Sequence, residues 1–269
     1  MQWHLGGLAV EVTCSDTAVA HTLHHLFQHC QNQVSPPLTH YHIQQTAHGW
    51  QLFVGQTPLL AASHPLALFE PLLQNALQCL IEPQQQHMVF HAGGIAWANQ
   101  GVLLCGLTGS GKSTLVAQLI TAGFDYLTDE VVAIPLKEFA LSGFARPLVL
   151  KPGSGFLWQH APPNDDVLAL PDGITWVAPT FFRQAHIPRI AVPKFLLFPH
   201  FEAGSSFAVR PFTTAESAFH LLQHLVNARN LPEHGLPAVT KLAQSVPAYE
   251  VRFGDGLAVA AWIRQQLGV

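Results

Sequence analysis

A glycine-rich segment between an apolar run and a helix-like pattern places the strongest constraint on the fold of this chain. Its eight residues, Gly106-Leu107-Thr108-Gly109-Ser110-Gly111-Lys112-Ser113, match G-x-x-x-x-G-K-[ST] at every position. The run 101–105 before it is typical of a buried strand, and residues 114–120 after it have the apolar spacing of a helix. Between a strand and a helix, the N–H groups of such a loop point towards an anion. The pattern predicts a phosphate-binding P-loop and a bound nucleotide; the alternative is a glycine-rich turn without a ligand.

Each residue type of the motif has a chemical reason to be there. Glycine lets the backbone turn close to the phosphates, the lysine reaches the β- and γ-phosphates, and the serine hydroxyl holds Mg²⁺. Lys112 and Ser113 are the residues predicted for the last two roles. With ATP as the expected nucleotide, the predicted binding residues in this segment are Gly106, Thr108, Gly109, Ser110, Gly111, Lys112, Ser113 and Thr114.

Length and pattern favour two domains in a chain of 269 residues. Residues 3–14 are typical of a strand, and Ser15-Asp16 is a predicted cap for an amphipathic helix. Strand-like segments at 41–43 and 50–54 and a helical pattern over 65–81 follow, before the polar connector 82–86. We therefore expect an N-terminal α+β domain over 1–86 and an α/β P-loop domain over 87–269, with a mixed sheet flanked by helices.

Composition argues against several classes of partner. A net charge of -4 and a pI near 6.5 provide no basic surface for a nucleic acid. The N-terminus lacks the pattern of a signal peptide and no stretch approaches a membrane span, so a cytoplasmic protein without a membrane partner is expected. The four cysteines form no C-x-x-C pair and are predicted to be reduced thiols. Hydrophobic residues at 49% against 10% charged residues fit either a homo-oligomer or a surface rich in histidine and glutamine.

Acidic residues and a histidine are predicted to lie beside the loop. A turn at 99–101 makes 88–97 and 101–105 a predicted hairpin, in which His91 pairs near Gly106. A predicted strand over 126–134, reached through one helix, carries Asp129 and Glu130 to the same place. One carboxylate can then hold a metal ion while the other takes a proton from a hydroxyl. The alternatives are an acidic pair in salt bridges and an ordinary strand histidine.

The order and spacing of His91, the loop and the acidic pair resemble the catalytic core of the HPr kinase/phosphorylase family, which is itself similar to phosphoenolpyruvate carboxykinase. His91, Gly106, Gly109, Gly111, Lys112, Ser113 and Asp129 match that family, and Glu130 replaces its usual second aspartate. The resemblance is strong over 88–134 and holds in outline elsewhere. It implies a kinase that uses ATP and Mg²⁺, with Asp129 as general base towards a serine hydroxyl and with Ser113 and Glu130 binding Mg²⁺.

The segment after the acidic pair departs from that family. Residues 145–153 have no counterpart of the Glu-Ile-Arg-Gly-type segment that serves the reverse, phosphorolytic reaction. They resemble instead a divergent HPr-kinase-related group found beside peptide-modification systems, including lasso-peptide kinases, as do residues 5–10, 211–212, 227–230 and 249–255.

Arg146 and Lys151 lie in the poorly periodic region 146–193, where a substrate loop is expected. They are candidate clamps for phosphate or a substrate carboxylate, or else ordinary surface charges or structural pairs. Arg183, Arg189 and Arg229 are secondary candidates for the same role.

These observations predict ATP-dependent phosphoryl transfer to a hydroxyl, a serine of a peptide or small protein. Lys112 is expected to neutralise the phosphates, and His91 or Arg146 to stabilise the transferring group. The alternatives are a small-molecule kinase, for instance for free serine or a sugar, and a nucleotide-gated binding module without catalysis.

His21, His25 and His29 have i, i+4 spacing that suits a metal, but without an accompanying glutamate the pattern favours a polar helix face.

Overall fold

A computed structural model of the chain has a mixed α/β architecture and describes residues 1–31, 35–107, 109–160, 164–170, 173–184 and 187–269. Its strands are β1 (Gln2–Leu5), β2 (Leu8–Cys14), β3 (His40–Thr46), β4 (Gly49–Val54), β5 (Thr57–Ala62), β6 (His87–His91), β7 (Gly93–Trp97), β8 (Gln100–Leu104), β9 (Asp125–Thr128), β10 (Val131–Pro135), β11 (Ser142–Gly143), β12 (Leu148–Leu150), β13 (Val167–Ala169), β14 (Thr175–Val177), β15 (Val192–Phe201), β16 (Ala208–Pro211) and β17 (Ala248–Phe253). Its α-helices are α1 (Thr17–Phe27), α2 (Phe69–Ile81), α3 (Lys112–Thr121), α4 (Pro179–Phe182), α5 (Thr214–His224), α6 (Leu236–Ser245) and α7 (Gly256–Leu267). Short 3₁₀ turns cover Gln28–Cys30, Pro65–Leu68, Pro152–Leu157, Ala228–Asn230 and Pro232–Gly235.

The N-terminal sheet has the order β1-β2-β3-β4-β5, with β5 at one edge. The predicted cap of α1 is confirmed, because the Val19 N–H donates to Asp16 Oδ1 at 2.9 Å. The helical pattern predicted over 65–81 begins as the 3₁₀ turn Pro65–Leu68 and continues as α2. Side chains of α1, α2 and the sheet share one apolar core. All four cysteines are unpaired thiols, and Cys30 and Cys105 are buried.

The central sheet positions the glycine-rich loop. Its order is β16-β17-β15-β8-β7-β9, in which β15 is parallel to β8 and β17 and the other pairs are antiparallel. Leu103 of β8 packs with residues of α5 and α6, while its neighbours Val102 and Leu104 pack with α3 and α7. This alternation places helices on both faces of the sheet. The predicted mixed sheet flanked by helices is therefore present.

Two predicted strands are each broken where the chain passes from one sheet to another. The strand predicted over 88–97 is interrupted at Ala92, after which β7 and β8 form the hairpin, while β6 joins a separate sheet of order β11-β10-β6. The strand predicted over 126–134 is interrupted at Asp129 and Glu130, between β9 in the central sheet and β10 in the smaller one. The Ala92 N–H donates to the Glu130 carbonyl at 3.0 Å, which holds the two breaks together. The acidic pair thus lies in a junction between strands, not within one.

The region 146–193, where a substrate loop is predicted, contains regular structure. Strands β12, β14 and β13 form a small antiparallel sheet, and α4 follows it. Strands of three residues carry no usable apolar alternation, so the sequence could not reveal them. Helix α5 begins at Thr214, with a capping box formed by Thr213 and Glu216, and ends at His224.

An apolar core crosses the predicted domain boundary at residue 86. Trp3 stacks on Phe27 at 4.2 Å and meets Phe144 edge-on at 6.3 Å between ring centroids. Trp176 likewise contacts Phe27 and Phe69. The division into 1–86 and 87–269 remains a prediction. No helix in the part of the chain that the structure describes is long and apolar enough to cross a membrane.

Candidate functional site

The glycine-rich loop joins β8 to α3, as the motif predicts. Gly109 and Gly111 have φ angles of +88° and +82°, in the left-handed region that favours glycine. A Cβ on Gly111 would lie 2.8 Å from Cβ of Phe201. The Phe201 N–H at the end of β15 donates to the Ser110 carbonyl at 3.2 Å. This hydrogen bond ties the loop to the central sheet. Thr108, a predicted nucleotide-binding residue, lies outside the described residues.

A pocket of about 410 Å³ lies against this loop and the first turn of α3. Most of the residues predicted for the site line it: His91, Gly109, Gly111, Lys112, Ser113, Thr114, Asp129, Glu130, Arg146 and Lys151. Gly106 and Ser110 are not part of its wall; Gly106 packs against the side chains of Ser110 and Pro199. The structure therefore brings residues from β6, α3, the strand junction and β12 into one concave surface.

Lys112 occupies the first position of α3, where its side chain is buried. The residue is only 7% exposed, and its Nζ has no hydrogen-bond partner among the described residues. Burial lowers the pKa of the ammonium, and the carboxylates of Glu130 and Asp129 oppose that shift. A buried cation at a helix N-terminus is an unfavourable arrangement until an anion binds there. The Oγ of Ser110 is also buried without a partner.

Arg146, by contrast, is paired with the carboxylates of Asp129 and Glu130. It is 3% exposed, its Nη2 donates to Glu130 Oε2 at 2.5 Å, and its Nε lies 3.3 Å from Asp129 Oδ1. Burial acts to lower the pKa of the guanidinium, but the two carboxylates outweigh it and the pKa is raised. Arg146 therefore bridges the acidic pair in a buried ionic network.

Asp129 is enclosed by this network. Its side chain is fully buried, and Oδ2 accepts a hydrogen bond from the Val149 N–H at 3.3 Å. The Tyr126 hydroxyl accepts from the Asp129 N–H at 3.1 Å and donates to the Arg146 carbonyl at 2.8 Å, which locks the backbone on either side. Burial raises the pKa of the Asp129 carboxyl, and the nearby Arg146 opposes this. The carboxylate lies in the pocket wall without access to solvent.

Glu130 is the acid that reaches the pocket. Its side chain is 23% exposed, and Oε1 lies 3.3 Å from Nδ1 of His91. Burial acts to raise the pKa of Glu130, but Arg146, His91 and Lys112 outweigh it and lower the pKa to about 2. His91 reaches this point because β6 pairs with β10, His91 opposite Val131. The predicted pairing of His91 near Gly106 is wrong because the chain leaves the central sheet at Ala92.

Two residues of the site were missed by the sequence analysis. Ser154, in the 3₁₀ turn after Lys151, has its Oγ 2.5 Å from Oγ1 of Thr114 and ties the first turn of α3 to the pocket rim. Tyr126 fixes the acidic pair as described above. Ser154 follows no recognisable pattern, whereas Tyr126 is a polar-tipped residue in an apolar strand three positions before Asp129.

The remaining candidates lie elsewhere. Arg183 donates to the Gly123 carbonyl and lies 3.6 Å from Asp125, while Arg189 lines a separate small cavity beside His29. Arg229 lines a cleft that adjoins the pocket. On the histidine-rich helix, His25 Nε2 lies 2.7 Å from Asp166 Oδ1.

Comparison with known proteins shows similarity to solved structures. No family model matches the chain, and no curated protein matches it. Among solved structures, an Hpr(Ser) kinase/phosphatase from Coxiella burnetii aligns with a TM-score of 0.36 and 12% sequence identity, over 66% of this chain and 94% of that one. At that distance, the reaction must be inferred from the residues of this chain.

Proposed function

We propose that this protein binds ATP at the loop 106–113 and transfers its γ-phosphoryl group to a hydroxyl, a serine of a peptide or small protein. The observation that carries the proposal is the buried ammonium of Lys112, which has no partner among the described residues and lines the pocket at the N-terminus of α3. A polyphosphate supplies the negative charge that this position lacks. Lys151 at the exposed rim adds a second positive charge on the same pocket.

The residues fit a magnesium nucleotide. Within the described ranges no cluster of three His, Cys, Asp or Glu side chains could hold a metal by itself. Mg²⁺ is usually bound through one or two carboxylates together with substrate phosphates, so such a cluster is not required. Ser113 and Glu130 line the pocket and are the residues that would hold the ion. Bound there, Mg²⁺ would supply charge neutralisation to the transferring group.

The two carboxylates suit different roles. Glu130 has a strongly lowered pKa and partial exposure, so it stays ionised and can contact a metal ion. Asp129 has a raised pKa, which makes it the better proton acceptor, but its carboxylate is buried against Arg146. For Asp129 to act as general base, the guanidinium of Arg146 must move from Asp129 towards the phosphates. Arg146 would then stabilise the transferring group, with His91 holding Glu130 in place.

Transfer of labelled phosphate and calorimetric nucleotide binding test these roles separately. We expect Asp129→Asn to lower phosphoryl transfer by about 10²–10⁴-fold, because the base is lost, while ATP still binds. Glu130→Gln is expected to weaken binding of Mg·ATP more than binding of ATP without Mg²⁺. Glu138→Gln, a change at an exposed acid outside the pocket, is the control and should alter neither quantity. Full transfer by Asp129→Asn would show that the base is assigned wrongly.

The burial of the Asp129 side chain favours a second candidate function, that of a nucleotide-gated binding module. In that case Arg146 keeps the carboxylate occupied, and ATP controls only the contact with a partner. Such a protein would bind Mg·ATP, phosphorylate no acceptor and keep its partner affinity in Asp129→Asn. Detection of phosphopeptide by mass spectrometry would exclude it.

A further inference from the structure

A second cleft adjoins the loop pocket and shares two residues with it. The cleft has a volume of about 650 Å³, within the range of roughly 300–1,000 Å³ typical of ligand sites. It lies between β5 and α2 on one side and Val131, Val226 and Arg229 on the other. His91 and Glu130 line both cavities, so an occupant of the cleft reaches the place where the phosphoryl group would be transferred.

One wall of the cleft is the unpaired edge of a sheet. Within the described part of the chain, β5 is hydrogen-bonded to β4 only. A β-bulge leaves Leu59 without a partner residue on β4, since Leu60 pairs with Leu52 and Pro58 with Phe53. Both Leu59 and Leu60 line the cleft. Both leucines are exposed, at 44% and 41%. Pro58 limits the backbone donors at one end, and the residues after it remain free to pair with another strand.

The opposite wall carries an unpaired positive charge. Arg229, in the 3₁₀ turn Ala228–Asn230, is exposed, and no ion pair to it is found among the described residues. The nearby Val226 is an exposed apolar residue, and its N–H donates to the Val89 carbonyl of β6. The cleft therefore combines an apolar edge strand, the Arg229 guanidinium, the Glu82 carboxylate, which accepts a hydrogen bond from Gln78, and a wall that includes His91 and Glu130.

The geometry points to this cleft as the acceptor site for an extended peptide that adds as a strand to β5. Main-chain hydrogen bonds to the edge would supply affinity, and apolar side chains would pack on Leu59 and Leu60. A carboxylate of the peptide would pair with Arg229, and its serine would lie at His91 and Glu130. The inference rests on the proposed function, and it narrows the acceptor to an extended peptide and gives the means of its recognition.

Fluorescence anisotropy with defined peptides tests the inference on the full chain. The probes are fluorescein-labelled peptides of alternating valine and isoleucine around one serine, with a glutamate at different spacings from it. In a second set of peptides, glutamine replaces the glutamate, or a free C-terminal carboxylate replaces the C-terminal amide. Comparison of the two sets shows whether Arg229 pairs with a glutamate side chain or with the peptide C-terminus. An analogue N-methylated at alternate residues keeps the side chains but cannot pair as a strand. We expect it to bind roughly tenfold more weakly than its parent.

Matched variants locate the binding surface. Leu60→Asp should weaken peptide binding by roughly tenfold or more, because a charge replaces an apolar contact. Leu38→Asp is the control, since Leu38 is 46% exposed and lies outside the cleft. Arg229→Gln should abolish the preference for the carboxylate-bearing probes while leaving binding of the neutral ones. Circular dichroism spectra establish that each variant is folded.

The outcomes separate this inference from the proposed function. Equal losses in Leu60→Asp and Leu38→Asp, or full binding of the N-methylated analogue, would overturn the peptide site even if ATP binds and a phosphate is transferred. Phosphorylation of free serine or a sugar with no effect of Leu60→Asp would overturn it as well. Failure of the protein to bind Mg·ATP overturns the proposed function instead, while the anisotropy measurement still decides whether peptides occupy the cleft.

Discussion

Five charged residues of this chain line the loop pocket. Of the 12 lysines and arginines in the chain, Lys112, Arg146 and Lys151 line the loop pocket. Asp129 and Glu130 face them, and both carboxylates contact Arg146. The Lys112 ammonium stays buried without a hydrogen-bond partner among the described residues, which is costly for the ligand-free protein and becomes favourable when an anion binds. An arrangement of this kind indicates binding of an anion better than any count of basic residues.

Replacement of Lys112 by methionine should change stability and binding in opposite directions. Removing an unpaired buried ammonium is expected to stabilise the ligand-free protein by about 1–3 kcal/mol, whereas the stabilisation by Mg·ATP should disappear. Since burial lowers the pKa of Lys112, the gain should be present at neutral pH and fade as the pH rises through that pKa towards 10.5. Thermal unfolding with and without Mg·ATP measures both effects.

Lys151→Met is the matched control, because Lys151 lines the same pocket but is exposed. It should leave the melting temperature of the ligand-free protein nearly unchanged. A Lys112→Met protein that melts lower without nucleotide than the wild type would contradict the view that its ammonium is unsatisfied.

At the scale of secondary structure, the sequence predicted elements wherever local signals were strong. The loop, α3 after it and the capped α1 follow from their motif, apolar spacing and cap. The two strand breaks were missed because strand-like residues lie on both sides of Ala92 and of the pair Asp129 and Glu130, where the chain changes sheets. Strand β5 has exposed residues along most of its length and no alternation that would mark it. The pairing of Arg146 with both acids depends on contacts across a stretch with no periodic pattern, so it could be predicted only as one of several options.

The start of α3 depends on a glycine that no other residue replaces without cost. An alanine at Gly111 would have to adopt φ near +82° and would place its Cβ 2.8 Å from Cβ of Phe201. We expect Gly111→Ala to destabilise the protein by about 2–5 kcal/mol, the sum of left-handed strain and overpacking, and to weaken nucleotide binding. Urea unfolding and calorimetry measure the two losses.

Gly204→Ala isolates the backbone part of that effect. Gly204 has φ of +75°, but a Cβ added there would meet nothing within 4 Å, so only the strain of about 1–2 kcal/mol applies. Equal losses for both variants would mean that Phe201 moves aside and that the loop tolerates a side chain at Gly111.

For the whole molecule, the central question is how residues 1–86 depend on the rest. The sequence suggested a boundary because the polar segment 82–86 follows a helix, and such a signal reports the local chain only. The core contacts of Trp3 with Phe144, and of Phe27 and Phe69 with Trp176, join residues that lie far apart along the chain. Contacts between residues far apart along the chain cannot be predicted from a single sequence. They also place α2, which lines the acceptor cleft, on the same core as β10, which follows the acidic pair.

Phe144→Ala should therefore loosen the N-terminal sheet although residue 144 lies beyond the predicted boundary. The ring is fully buried against Trp3, and its loss is expected to cost about 3–5 kcal/mol. Hydrogen exchange should accelerate in β1 to β4 as a result. Phe124→Ala is the matched control, since Phe124 is equally buried but belongs to the core between the central sheet and α3 and α7. It should accelerate exchange first in α3 and α7. If Phe144→Ala left exchange in β1 to β4 unchanged, residues 1–86 would form an independent unit, and the acceptor cleft would then lie between two separately folding domains.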